Sequence, residues 1–282
     1  MPAWVTRCFQ YAPAPPPEPA RPFMLLYCAF VCLMLCLTRP AAADGPDCTR
    51  PRTLALHEHG LLYSGASGEG IDKDFADELI RRSGCPVNVT VLPRARIWQL
   101  IETGALDFSL SGITNDARER FAAFAWYFSN RYTLLVRKDA GVTRIDELDA
   151  RPALRLGAIR SFRYGPTANR LVDRLAQTGR VIHANTLDTL YRALATDHIQ
   201  AMIIEPFDIP ILERARLAEQ TRTLEFPDPP IPHGLIMSRA AVSPEEQARW
   251  RALVDGMRAD GSVERIFGKY FKPDLARAMT RF

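Results

Sequence analysis

The sequence contains no Gly-x-Ser-x-Gly elbow, no Gly-rich phosphate loop ending in Gly-Lys-Ser/Thr and no His-Glu-x-x-His pair. These absences remove the usual signatures of serine hydrolases, nucleotide-driven enzymes and zinc peptidases. No constellation points to a catalytic group, a metal or a cofactor. Charge of one sign is missing too. Thirty-six basic against 32 acidic side chains leave a formal net charge of +4 over 282 residues, too balanced for a nucleic-acid footprint. No apolar run reaches the roughly 20 residues of a spanning helix. The run from Phe23 to Leu37 falls short of it.

That run is informative in another way. Arg21 precedes it and Ala41-Ala42-Ala43 follows, after a Pro- and Ala-rich stretch over 11–22 that reads as disordered. A charged region, a short apolar core and a small-residue site make a secretory signal, with cleavage expected after Ala43 and a periplasmic destination. An uncleaved N-terminal anchor is the alternative, disfavoured by length. Arg7, Arg21 and Arg39 against Glu18 take two positive charges away with the segment. Four of the six cysteines (Cys8, Cys28, Cys32 and Cys36) leave with it as well. Cys48 and Cys85 remain, and two cysteines in an exported chain read as one disulfide. Each lies just before an expected strand. If those strands are parallel neighbours, their starts are adjacent and the bridge is geometrically easy.

From Asp44 onward the pattern alternates. Thr53–His57 reads as a strand, and Ile71, Phe75, Leu79 and Ile80 as a helix closed by Gly84. Val87, Val89 and Val91 alternate as a strand, and a helix opens at Pro93 and ends at Gly104. A strand over Leu106–Leu110 and another over Tyr132–Arg137 follow. A second unit repeats the β-α-β-α-β order. Its strands fall at Leu154–Ile159, Val181–Ile182 and Ala201–Ile204. Pro227, Pro229, Pro230 and Pro232 then make a rigid extended connection. A strand at Leu235–Met237 and two helices complete the chain. The expected fold class is α/β: two lobes with parallel or mixed sheets, flanking helices and a double hinge. Lobe one is read as 44–138 plus 233–282, and lobe two as 139–232. A ligand cleft between them would lie beyond the carboxyl ends of the strands.

The richest stretch is Ser111-Gly112-Ile113-Thr114 through Arg118. A strand ends in small residues, Thr114 caps a new helix, and Arg118 lies one turn in, which suits a carboxylate. Together with Gly70-Ile71-Asp72-Lys73-Asp74-Phe75, Leu92-Pro93-Arg94-Ala95-Arg96 with the later Gly104-Ala105-Leu106-Asp107, Phe124, Tyr132, Asp260-Gly261-Ser262 and Lys269-Tyr270, this order resembles the extracellular solute-binding proteins of family 3, the amino-acid-binding periplasmic type. The resemblance spans essentially all of the expected mature chain and implies a type II periplasmic-binding-protein fold. It also implies an interlobe site for a small carboxylate-bearing or zwitterionic ligand, a monomer, and a membrane transporter permease as partner. The family places four residues between that threonine and the arginine, where this chain has three, so Arg120 is the alternative clamp.

On this reading Ser111, Gly112, Thr114 and Arg118 hold the carboxylate from lobe one. Ser161, Phe162 and Arg163 meet it from lobe two. Glu205, at the end of an apolar strand, matches the acid that binds a ligand ammonium in the family. Tyr63 or Glu58 touches the ligand. His57 and His59 lack a third ligand nearby and are read as packed or solvated, and Arg94 as edging the cleft or facing water. A dehydratase-like enzyme on the same fold and a sensory module with a membrane partner are the rival readings.

Overall fold

Apolar strands alternating with amphipathic helices account for nearly the whole described chain, residues 45–282 of this computed structural model. The signal segment expected over 1–43 lies outside those residues. In chain order the elements are β1 (Arg52–Leu56), α1 (Ile71–Ser83), β2 (Val87–Val91), α2 (Arg94–Thr103), β3 (Phe108–Gly112), the single-turn α3 (Asp116–Glu119) and β4 (Ala122–Asn130). Then come β5 (Thr133–Arg137), α4 (Asp146–Asp149), β6 (Leu156–Ile159), α5 (Pro166–Gln177), β7 (Val181–Ala184), α6 (Leu187–Ala195), β8 (Ala201–Ile204), α7 (Ile209–Arg214) and β9 (Thr221–Glu225). The chain ends with β10 (Ile231–Ser238), α8 (Pro244–Ala259), α9 (Ser262–Phe267) and α10 (Pro273–Thr280).

Two five-stranded sheets follow one plan. Their orders are β2-β1-β3-β10-β4 and β7-β6-β8-β5-β9. In the first, β1 pairs parallel with β2 and β3, while β10 runs antiparallel between β3 and β4. In the second, β6 pairs parallel with β7 and β8, while β5 runs antiparallel between β8 and β9. Each sheet therefore receives one strand just after the chain has crossed from the other lobe. The crossings are residues 131–132 and 226–230. Hence β5 belongs to the second sheet, and lobe two begins at 133 rather than at 139. Lobe one resumes at 231. The reason is burial: Leu134, Leu135 and Val136 are at most 1% exposed between β8 and β9.

Lobe one packs Phe75, Phe108, Tyr127, Trp250 and Phe267 on one face of its sheet and Ile97, Trp98 and Ile101 on the other. Lobe two buries Leu171 and Leu175 on one face, Leu187 and Leu190 on the other. One side chain breaks the division. Phe207, from the turn after β8, sits in the lobe-one core against Phe128, Phe267 and Phe271. Its carbonyl accepts the Leu61 N–H at 2.9 Å. A Cβ at Gly60 (φ +50°) would lie 2.2 Å from that carbonyl oxygen, so only glycine fits there.

Cys48 and Cys85 form the expected disulfide, with Cα atoms 4.8 Å apart, next to the parallel pairing of Arg52 with Val87 that starts β1 and β2. The crosslinked residues are 37 apart in sequence. Loop-closure entropy assigns such a link about 4 kcal/mol. A Cys48→Ala/Cys85→Ala variant is therefore expected to lose stability of that order in urea titration, and an unchanged unfolding midpoint would refute this.

Candidate functional site

The carboxyl ends of β1 and β3 face those of β6 and β8. Between them lies a void of about 10 Å³, lined from lobe one by His57, Leu62, Arg94, Ser111, Ile113 and Arg118. Phe162, Arg163 and Glu205 line it from lobe two, Tyr132 from the first crossing and His233 from the start of β10. That volume suits one water. The cleft is thus closed, and its centre is filled by side chains. Two larger spaces open beside it. One, of about 130 Å³, is lined by Glu58, Tyr63, Thr186 and Asp188 among others. The other, of about 180 Å³, is lined by His57, Pro93, Phe162 and Asn185 among others.

The floor of the cleft is an unusual piece of backbone. Ser111 has φ +53°, a left-handed conformation that costs a non-glycine residue of order 1–3 kcal/mol. Three side chains hold it there. Ser111 Oγ donates to Asp72 Oδ1 at 2.6 Å, and its N–H donates to the Tyr127 hydroxyl at 2.9 Å. That hydroxyl donates to the same Asp72 oxygen at 3.0 Å. The Arg94 guanidinium donates to the carbonyls of Leu110 (3.0 Å) and Ser111 (2.6 Å). Burial pushes the Asp72 carboxyl up to about 6. The aspartate of Gly70-Ile71-Asp72 therefore shapes the cleft floor. At Gly112 a Cβ would lie 2.3 Å from the Ile236 side chain, so the strand can approach β10 only without one.

Arg118 is held just above. It is 8% exposed, donates to the Ile113 carbonyl and, across the cleft, to the Ser161 carbonyl, both at 2.9 Å, and stacks on Trp98 with Cζ 3.9 Å from the ring centroid. Burial, then the nearby Arg94, draw its pKa down to about 9. Arg94 also lies over Trp98, at 5.6 Å. Asn115, not Thr114, caps α3: its Oδ1 accepts the Arg118 N–H at 2.9 Å. Thr114 instead donates to Glu119 at the surface. The three-residue spacing after Thr114 leaves Arg118 in the cleft and Arg120 exposed.

Opposite, Glu205 is 5% exposed. Its Oε1 lies 2.7 Å from His59 Nε2, and its Oε2 accepts from Asn130 Nδ2 at 2.5 Å. Asp208 Oδ1 lies 3.3 Å from the same His59 nitrogen. Burial alone would lower the His59 pKa, but Asp208 and Glu205 outweigh it and hold it above the ordinary value. Burial raises the Glu205 carboxyl, yet His59 brings it below its usual range. Burial and Glu205 together raise Asp208 to about 7. His59 and Glu205 thus pair across the two lobes, each shifted toward its charged form. His59, Glu205 and Asp208 also offer three metal-ligating atoms within 4.8 Å of one another, the third ligand coming from far along the chain. A protonated His59 satisfies the same geometry. His233 is neutral, its pKa lowered to about 4 chiefly by burial. It accepts the Tyr132 hydroxyl at Nε2 (2.9 Å) and donates from Nδ1 to the Ile231 carbonyl (2.8 Å).

Of the residues singled out from sequence, Ser111, Arg118, Phe162, Arg163 and Glu205 line the central void. Ser161 contributes its carbonyl to Arg118. Gly112 is a packing glycine, Thr114 faces the surface, and Glu58 and Tyr63 line the side space. Of the two readings of Arg94, the cleft edge holds and the solvated one does not, and of those of His57 and His59 the packed one holds. Sequence reasoning missed the buried Asn130, Asp208 and His233. His57 and His59 did carry a signal, two histidines bracketing an acid just past a strand end.

Residues 62–273 match the family described as bacterial extracellular solute-binding proteins, family 3. Among solved structures, the fold is similar to that of an ABC uptake transporter substrate-binding protein from Streptococcus pneumoniae with bound histidine. The TM-score is 0.65 at 16% identity, over 78% of this chain and 92% of that one. It is similar also to the arginine-, lysine-, histidine-binding protein ArtJ from Geobacillus stearothermophilus, at TM-score 0.65 and 16% identity over 81% and 100%. A histidine kinase sensor domain with similarity to periplasmic binding proteins gives 0.66 at 14% over 79% and 96%. No curated protein matches the chain.

A histidine with a raised pKa stabilises the fold fully below its unfolded value of 6.5, and that contribution is lost as pH rises through the folded value. Melting temperature is therefore expected to fall above pH 6.5, and to fall less steeply in Glu205→Gln. Equal slopes in differential scanning calorimetry would exclude the ion pair.

Proposed function

The chain belongs to the bacterial extracellular solute-binding proteins of family 3, and from that premise we propose that its interlobe cleft captures a small carboxylate-bearing solute, an amino acid or a near relative, clamped by Arg118. One observation carries this. A buried guanidinium, lying over the Trp98 ring, is bonded only to carbonyls, one of which belongs to the other lobe. A carboxylate accepting from the same fork would make charge-assisted, bidentate bonds that neutral carbonyls cannot. The solute enters when the lobes part about the crossings at 131–132 and 226–230, and it is enclosed when they close.

The signal-like segment ending at Ala43 favours a periplasmic location. The similar ABC uptake transporter substrate-binding protein favours delivery of the solute to an ABC transporter. Capture without turnover is the expected activity. The sensory alternative has the similar histidine kinase sensor domain beside it, and the dehydratase-like alternative has no such relative among those named.

A thermal-shift screen with amino acids, organic acids, polyamines, sugars and metal ions tests the proposal. A ligand at about 1,000 times its dissociation constant adds about 4 kcal/mol to stability. Shifts from sugars or metal ions alone would sink the carboxylate clamp. For the acid giving the largest shift, Arg118→Ala is expected to weaken binding by about 3 kcal/mol, roughly a hundredfold, as when one partner of a buried charge pair is removed. Arg120→Ala should leave it nearly unchanged. The reverse result would move the clamp to Arg120.

A further inference from the structure

The charges around the central void are not arranged for a zwitterion. Arg94 and Arg118 are each 8% exposed and flank the same indole of Trp98. Their hydrogen bonds go to the carbonyls of Leu110, Ser111, Ile113 and Ser161, and among the described residues neither forms an ion pair with a carboxylate. Two buried cations facing one space with only neutral acceptors carry an unmet demand for negative charge.

The acid that would meet a ligand ammonium is already engaged. Both oxygens of Glu205 are taken, one by His59 and one by Asn130. His59 is itself pressed between Glu205 and Asp208, and so brings the positive charge that neutralises this corner from within. An incoming ammonium would have to expel the imidazolium from Glu205. It would then lie beside His59 and the two guanidiniums, where like charges repel. The other carboxylate near the floor, Asp72, is bonded through Oδ1 to Ser111 and Tyr127, and its charge acts on Arg94 without a hydrogen bond to it. Arg163, at the rim, is paired with Asp173 and adds no free charge.

We propose that the preferred ligand of this cleft is a small organic acid with two carboxylates and no ammonium group, one carboxylate for Arg118 and one for Arg94, with Glu205 serving as an internal partner of His59 and not as a ligand contact. The inference rests on the carboxylate-capture reading above and narrows its ligand class. Opening breaks only the Arg118 contact with the Ser161 carbonyl, which one carboxylate replaces, while the other meets Arg94, whose carbonyl contacts lie within lobe one.

The test compares acids that differ only in the amino group, on the unmodified protein: succinate with L-aspartate, and glutarate with L-glutamate, by calorimetric titration. Putrescine and glucose serve as non-acidic probes. Each diacid is expected to bind more tightly than its amino counterpart, by about tenfold for an ammonium forced against like charge. Equal or tighter binding of the amino acids overturns the proposal while leaving carboxylate capture standing. Binding of no acid in either series overturns both. A second arm uses Glu205→Gln. Succinate or glutarate affinity is expected to stay within about threefold, and its loss by tenfold or more would assign Glu205 to the ligand instead. The first arm needs no variant, so the outcome stands even where Glu205→Gln lowers stability.

Discussion

Buried charge at the junction of the two lobes is the constraint on which this structure turns. Arg94, Arg118, His59, Glu205, Asp208 and Asp72 are all withdrawn from water within one cleft. An isolated ion in such a place is costly, so every one must find a partner of fixed geometry. The partners come from five separate stretches of chain. His59 and Asp208 serve Glu205, the Leu110–Ser111 carbonyls serve Arg94, and Ser111 with Tyr127 serves Asp72. The left-handed backbone at Ser111 follows from this, since its N–H, Oγ and carbonyl are each claimed by a different side chain.

The common plan of the two sheets explains why these groups meet. In the orders β2-β1-β3-β10-β4 and β7-β6-β8-β5-β9, β6 occupies the place of β1, and β8 that of β3. The turn after β1 carries His57 and His59, and the turn after β6 carries Phe162. These rings pack together, with His59 and Phe162 stacked at 4.9 Å. The end of β3 carries Ser111 and the end of β8 carries Glu205. Facing two copies of one plan brings equivalent strand ends together, as in open α/β sheets where ligands gather at carboxyl ends. The strand ends beside the crossings supply the rest: Asn130 at the end of β4, Tyr132 in the first crossing and His233 near the start of β10.

Much of the scaffold is legible in the sequence because it depends on local periodicity. The helices over 71–83 and 94–103, their glycine stops at Gly84 and Gly104, and the repeat of β-α-β-α-β all follow from apolar spacing. β4 and β9 do not stand out. β4 is buried along nearly its whole length and shows no alternation, and β9 is a short, half-exposed edge. In the site, Arg118 and Glu205 are legible because a strand end and a helix start frame each of them. Arg94 is legible only as a choice between cleft edge and water, because an arginine at the first turn of a helix can take either until Trp98 and the Ser111 carbonyl are seen around it. The cap at α3 shifts from Thr114 to Asn115 because either side chain can accept the helix N–H. Adjacent candidates are decided by backbone direction, which composition does not encode.

The closed cleft also says what kind of work a ligand must do. A solute shifts the balance between open and closed lobes only by the difference in its affinity for the two. A void of about 10 Å³ admits no organic solute, so binding requires the lobes to part. Parting releases the Arg118 hydrogen bond to the Ser161 carbonyl. Hydrogen bonds to a charged group are worth about 1.5–3 kcal/mol. A carboxylate that replaces the carbonyl on Arg118 restores that bond in stronger form. It also restores the bridge if its other end reaches the backbone N–H groups of the 161–163 turn. The ligand that closes this protein best is therefore one that substitutes for the contact the protein already makes with itself.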